Sequence, residues 1–237
     1  MTEDFIYILL GVFDALAIWA CALTPFKLPI YAYRWRLLGS SVFIALLSYV
    51  NRMVLPLSVL DTPIQFVILL LLCRYMLKIR FFWSTLALVT GYMLYMPLQF
   101  GLYFLLTASG LVPEEVMAQS TGYVFLLQIA SILTAYVIAL ILKASGKGFS
   151  FIQQPPHDFS VKENYFTSAN EKLLIGIAVG LVCISFSVML IHHSYQLVIF
   201  PGVLLASFTV YSVAWRRNRL ISDAQETDFH RSKGRMD

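Results

Sequence analysis

SYVNRMVLPLSVLDTPIQ, residues 48–65, is a polar break between two long apolar runs in the first third of the chain. Within it, Arg52 is followed four residues later by Pro56, and then by Asp61 and Gln65. A proline removes one helical hydrogen bond and usually ends or kinks a helix. The stretch therefore predicts that two apolar helices meet here at a short polar turn.

The composition indicates that lipid, rather than water, surrounds most of this chain. Hydrophobic residues make up 59% of the 237 residues, charged residues make up 13%, and the mean hydropathy is +0.76. Ordinary soluble domains are about 25% charged. The three cysteines lie in or beside apolar runs without paired spacing, so they predict buried packing residues rather than disulfides.

Apolar runs of spanning length predict an all-α polytopic membrane bundle of about seven transmembrane helices. The first run follows acidic residues rather than a basic segment, so we expect it to be retained rather than cleaved as a signal peptide. The connection 143–172 is polar and is expected to have little order. The predicted spans are 5–23, 37–54, 62–77, 82–108, 122–142, 173–191 and 195–215, and residues 216–237 form a short charged tail.

The distribution of basic residues predicts the orientation of the bundle. With these seven spans, Arg52 is the one member of the 17 Lys and Arg residues that falls on the far side. Cytoplasmic loops are enriched in Lys and Arg. The N-terminus is therefore expected outside and the C-terminus in the cytoplasm, in a cell membrane (the cytoplasmic membrane of a bacterium).

Two sets of polar residues are candidates for a functional site. Asp14 lies near the middle of the first span, where an ionised carboxylate costs about 2.5–3.5 kcal/mol on insertion scales. It is either a proton or ligand site, or a hydrogen-bond partner of a neighbouring helix. Gln99, on the fourth span, is a second intramembrane polar residue and lies at helical spacing from Tyr92 and Tyr95. Helix packing and a ligand surface both remain open for this face.

The second set is a polar mouth at the outer end of the bundle. Arg52 and Asp61 could form an ion pair that braces two helix ends, or could bind a carboxylate or carbonyl of a ligand, and the two roles are compatible. We predict that the mouth comprises Arg52, Asp61, Gln65, Glu114 and Glu115.

The sequence gives little indication of a catalytic or metal-binding site. The chain contains none of the common nucleotide-binding, zinc-protease or serine-hydrolase motifs, so we expect no enzyme activity and no cofactor. His192 and His193 are adjacent on the chain and lack a third spaced ligand, so no metal site is expected. The basic residues after Trp215 anchor the last span at the lipid bilayer, and nucleic-acid binding is not expected.

The region from Arg36 to Ser120 resembles the membrane sensor domain of Bacillales histidine kinases related to the AgrC-type peptide-pheromone receptors. The similarity is carried by NRMVLP (51–56), the turn residues 61–65, the basic MLKI (76–79) and SGLVPEE (109–115). It covers about a third of the chain. The resemblance implies an outer N-terminus, a cytoplasmic C-terminus and recognition of a peptide.

This chain departs from those kinases after its last span, where 22 residues follow Trp215 and do not form a kinase domain. The chain is therefore expected to be either a stand-alone sensor module or the membrane part of something longer, and the resemblance does not imply autokinase activity. The leading hypothesis is a receptor-like module for an extracellular peptide or other signal, in the manner of quorum sensing, acting through a signalling partner protein or kinase. The alternative is a small transporter or the membrane subunit of a transporter, since Pro97 and Pro201 interrupt two spans and Asp14 is buried in a third.

Overall fold

The computed structural model describes residues 2–55, 57–114, 116, 122–152, 155–160, 167–191 and 196–233. The described residues form helices and turns, and no strand occurs among them. The helices are α1 (Thr2–Leu23), α2 (Arg34–Tyr49), α3 (Ser58–Tyr75), α4 (Phe81–Ala108), α5 (Val124–Ala144), α6 (Ser168–Ile191) and α7 (Gln196–Lys233).

The prediction of seven membrane-length helices is confirmed. Within the described ranges, seven helical segments are long and apolar enough to cross a membrane, from Thr2–Phe26 to Ile199–Ile221. Large apolar side chains cover their outer faces, among them Phe43, Leu133 and Phe208, which are 53%, 60% and 73% exposed. Lipid rather than water is the solvent that suits such faces. The chain is therefore a multi-pass membrane helix bundle by length and composition.

The second and third predicted spans are separate helices. A single π-helical turn, Val50–Val54, ends α2, and α3 begins at Ser58. Four helix starts differ from the prediction by several residues, because α1, α2, α3 and α6 begin three to five residues before 5, 37, 62 and 173. The first turns of these helices contain polar residues, which lower the local hydropathy but do not prevent helix formation.

The predicted short tail also differs from the structure, because α7 continues through most of it to Lys233. Residues 218–233 contain neither glycine nor proline, so nothing in the sequence ends the helix at the apolar boundary.

Helix α4 occupies the centre of the bundle. Buried residues make up 72% of its most apolar 18-residue stretch, compared with 22% to 44% in the other six spans. Glycines let neighbours approach closely: a Cβ on Gly91 would lie 2.7 Å from the Ala22 backbone of α1, and one on Gly180 of α6 would lie 2.2 Å from Val89. The Gly176 and Gly180 pair therefore serves packing within the chain, with Gly180 against α4 and both near Val210 of α7.

Four basic segments meet at one end of the bundle, which we call the basic end. Arg36 donates to the Met76 carbonyl (2.9 Å), and Tyr33 donates to the Pro155 carbonyl (3.3 Å). Ser150 donates its backbone N–H to Asn218 (2.9 Å), beyond the apolar part of α7. The connections after α1, α3 and α5 thus share an end with the extension of α7, as the alternation of basic loops predicted.

The connection after α5 is more ordered than the sequence indicated. Phe149 is 5% exposed and its backbone N–H bonds the Pro25 carbonyl (2.6 Å), while Phe151 packs on Phe26 and Trp83 with ring centroids 5.6 and 5.9 Å apart. Gly148 is required here, since a Cβ would lie 2.6 Å from the Pro25 oxygen. Residues 145–152 therefore close the basic end of the bundle.

Residues 155–160 continue this cover. His157 accepts the Arg80 backbone N–H at Nδ1 (3.2 Å) and donates its own backbone N–H to the Lys78 carbonyl (2.9 Å). Hydrogen bonding from the Ser160 backbone, with a smaller effect of the Arg80 charge, lowers the pKa of Asp158 below its usual value. The segment is thus fixed to the turn between α3 and α4.

Candidate functional site

Asp61 is the centre of a buried polar cluster at the opposite end of the bundle, which we call the Arg52 end. Its side chain is 0% exposed. Its Oδ2 accepts bonds from Ser48 Oγ (2.8 Å), Arg52 Nε (2.5 Å) and Gln65 Nε2 (2.9 Å), and its Oδ1 accepts one from Asn51 Nδ2 (3.2 Å). Four donors supply the hydrogen bonds that a buried carboxylate needs. The ion pair that braces the ends of α2 and α3 is therefore confirmed.

Local structure explains why these groups converge. Asp61 lies in the first turn of α3, where the positive end of the helix dipole stabilises a carboxylate. Gln65 follows four residues later on the same face. The π-helical turn brings Asn51 and Arg52, adjacent in sequence, to the same carboxylate, and the Leu57 N–H bonds the Asn51 carbonyl (3.1 Å) across the junction. Turns of this kind are frequent at functional sites.

Helix α1 joins the cluster through Tyr7. The Tyr7 hydroxyl lies 3.0 Å from Ser48 Oγ. Because the Ser48 proton is donated to Asp61, Tyr7 is the donor in this bond. One carboxylate thereby links α1, α2 and α3. The cluster also contains Tyr7, Ser48 and Asn51, which the sequence did not predict as site residues. The seven-residue spacing of Tyr7 and Asp14, which places both on one face of α1, is the signal that could have identified Tyr7.

Arg52 is a charged member of this cluster that is partly exposed at the surface. Its side chain is 33% exposed, whereas that of Asp61 is 0% exposed. Its Nε is bound to Asp61, and among the described residues its two terminal nitrogens make no further hydrogen bond. A guanidinium carries five N–H donors in a planar fork that matches a carboxylate. The arrangement can therefore hold a second anionic group at the surface.

The structure does not join every predicted mouth residue. Arg52, Asp61 and Gln65 are in direct contact. The exposed Glu114 follows α4, and its backbone carbonyl accepts the Tyr103 hydroxyl (2.9 Å); its carboxylate makes no hydrogen bond or ion pair with the described residues. Glu115 lies outside the described residues. Ligand binding by these five residues stays a prediction.

The intramembrane candidates lie on α1, which carries Asp14, and on α4, which carries Gln99. Asp14 of α1 accepts a hydrogen bond from the Tyr95 hydroxyl, as expected for a partner on a neighbouring helix. Tyr92, one turn earlier, is 3% exposed, and its hydroxyl makes no hydrogen bond within the described ranges. Gln99, one turn later, is partly buried and forms no hydrogen bond to a described residue.

The structure assigns the buried cysteines to packing. Cys21 and Cys73 are free thiols at 0% exposure, as the sequence predicted. The pair His192 and His193 lies outside the described residues. Within the part of the chain that the structure describes, no three His, Cys, Asp or Glu residues lie close enough together to hold a metal ion.

The fold and the cluster define the class: a multi-pass membrane helix bundle with a buried, ion-paired carboxylate near one end. Comparison of the chain with protein-family models, curated proteins and solved structures finds no match.

Proposed function

We propose that this chain is a receptor-like integral membrane module that senses an extracellular peptide or other signal at the Arg52 end and acts through a partner protein. The observation that carries the proposal is the hydrogen bonding and exposure of the Arg52 side chain. Asp61 fixes its Nε, while its terminal nitrogens are unused among the described residues and its side chain is one-third exposed. Such a guanidinium is preorganised to bind the carboxylate of a peptide in bidentate geometry.

The proposal includes an orientation, with the Arg52 end outside and the basic end in the cytoplasm of a bacterial cell. The hydrogen bonds that gather the basic connections at one end support this orientation, since Lys and Arg concentrate on the cytoplasmic side of membrane proteins. The partner, a kinase or another signalling protein, would then contact the basic end. The resemblance to peptide-pheromone sensor domains supports the same arrangement.

A signal at Arg52 has a physical route to the rest of the bundle. A carboxylate bound to the guanidinium would compete with Asp61 for it, and Asp61 joins α2, α3 and, through Ser48 and Tyr7, α1. Weakening this junction changes the packing of three helix ends at once. A ligand that binds one arrangement of these ends more tightly shifts the population toward it.

A second candidate function is a small transporter or the membrane subunit of one. Pro97 and Pro201 lie inside α4 and α7, and Asp14 lies inside α1. Proline-interrupted spans and intramembrane carboxylates are common at transport sites. Substrate uptake into proteoliposomes that is lost in Asp14→Asn would favour transport over reception.

The test is purification of the tagged protein from native membranes, with mass spectrometry of co-purifying proteins and peptides. The matched variant is Arg52→Met with Asp61→Leu, since replacing a buried ion pair by apolar residues often preserves stability. We expect a processed peptide, together with a kinase or response regulator, with the wild type, and loss of the peptide with the folded double variant. A transporter ATPase or permease subunit in its place would contradict the receptor proposal and support transport.

A further inference from the structure

Asp14 lies at the midpoint of its membrane span. The span is Thr2–Phe26, so twelve residues separate Asp14 from either end, or about 18 Å at 1.5 Å per residue. Its side chain is partly exposed at the surface of the bundle. At this depth the surrounding medium is hydrocarbon, which does not solvate a carboxylate.

An ionised Asp14 would have no cation of its own among the described residues. Arg52 is the cation that acts on it, and Asp61 occupies Arg52 through a contact of 2.5 Å. The hydrogen-bond partner of Asp14 is the hydroxyl of Tyr95, which is neutral. Burial of an unpaired carboxylate costs so much that such groups become neutral instead. Asp14 therefore has to take up a proton or another cation.

The groups that surround Asp14 on each packed helix do not supply this cation. Arg52 and Asp61 form a neutral pair, and the remaining side chains are hydroxyls or a thiol. The titratable and charged groups facing Asp14 among the described residues are Tyr7, Cys21, Arg52, Asp61, Tyr92, Tyr95 and Tyr136. Tyr136 donates to the Phe13 carbonyl (3.0 Å).

Tyr92 is a second buried polar group on the same face of α4, one turn from Tyr95. Its hydroxyl has no hydrogen-bond partner in the described residues, which costs about 1–3 kcal/mol for a group of this kind. Its ring contacts Phe66 of α3 at a centroid distance of 5.5 Å. The hydrogen-bonding capacity of this hydroxyl is therefore unused within the described ranges.

We propose that Asp14 and Tyr95 form a proton-binding site in the membrane interior. On uptake, a proton from the aqueous phase forms an O–H bond on the Asp14 carboxylate, and on release that bond breaks and the proton returns to the aqueous phase. No other reactant takes part. The site is independent of the proposed receptor function, since it rests on α1 and α4 rather than on Arg52 as a ligand.

The test is infrared difference spectroscopy of the full chain in lipid nanodiscs, titrated in H₂O and D₂O from about pH 9 to about pH 5.5, a range in which exposed carboxylates stay ionised. We expect one protonated-carboxyl band that is sensitive to D₂O in the wild type and absent from Asp14→Asn. In Tyr95→Phe the band should move to higher frequency, because the carboxyl loses a hydrogen bond. Tyr211→Phe is the matched control, since this hydroxyl bonds the Thr90 carbonyl (3.4 Å) on α4 and should leave the band unchanged.

Three results would overturn the proposal. A band that persists in folded Asp14→Asn would belong to another carboxyl group. If Asp14→Asn does not fold, a band that is unchanged in Tyr95→Phe would likewise show that the protonated carboxyl is not Asp14. A band that sodium chloride removes, while choline chloride leaves it, would assign the site to a metal cation instead of a proton.

Discussion

Removing either Arg52 or Asp61 should destabilise the bundle, for different reasons. Arg52→Ala leaves the Asp61 carboxylate, 0% exposed, without its cation. Asp61→Ala leaves the Arg52 guanidinium, whose side chain is 33% exposed, without its anion. It also removes the shared acceptor of three neutral donors, Ser48, Asn51 and Gln65.

The magnitudes follow from the burial of each partner. Removing one member of a buried ion pair costs about 3–5 kcal/mol, and we expect that full range for Arg52→Ala. For Asp61→Ala we also expect about 3–5 kcal/mol, because the partly exposed charge costs less but the buried donors Ser48 and Asn51 lose their acceptor. The double variant leaves no unpaired charge. The summed single costs should therefore exceed the cost of the double variant by about 2 kcal/mol or more.

Reversible unfolding in mixed detergent and dodecyl sulfate micelles, followed by circular dichroism, measures these free energies. The control is Glu114→Ala, since Glu114 is exposed and its carboxylate is unpaired among the described residues; we expect a change below about 0.5 kcal/mol. A coupling energy below about 0.5 kcal/mol would refute the argument that the pair acts as one unit. A cost below about 1 kcal/mol for either single variant would refute the argument that the pair is buried and needed.

Three further predictions concern packing. Gly91→Ala should cost about 1–3 kcal/mol of unfolding free energy in the same assay, because its Cβ would lie 2.7 Å from the α1 backbone, whereas Gly39→Ala, with no atom within 4 Å of the new Cβ, should be nearly neutral. Phe149→Ala should cost about 3 kcal/mol locally and accelerate amide exchange in residues 145–152 while the spans stay protected. Cys21 and Cys73, both 0% exposed, should resist maleimide in the folded protein and react after unfolding; labelling of either thiol in the native state would contradict the packing described above.

The sequence predicted the spans well because hydropathy depends on composition alone, and seven apolar runs give seven helices. It also predicted the contact of Arg52 with Asp61, because a charge near an apolar span requires a partner, and the short turn placed the two residues close together. Ser48 and Asn51 could not be predicted in the same way, since uncharged polar residues are common in spans and their orientation depends on the π-helical turn.

Tertiary packing explains the remaining differences. The connection after α5 contains enough polar residues to indicate a loose loop, but Phe149 and Phe151 bury their rings against Phe26 and anchor it. The partner of Asp14 was open in the sequence because several helices could supply one, and the structure assigns it to Tyr95. Long-range contacts of this kind are not encoded in local periodicity.

Whether the Arg52 end can meet an external signal depends on the orientation of the bundle, which cysteine labelling measures directly. In a variant without native cysteines, Ser109→Cys marks the Arg52 end and Ser145→Cys marks the basic end; both positions are exposed and follow α4 and α5. The proposal predicts that a membrane-impermeant maleimide labels position 109 on intact cells, and position 145 after permeabilisation alone. Labelling of position 145 on intact cells, with position 109 protected, would contradict it.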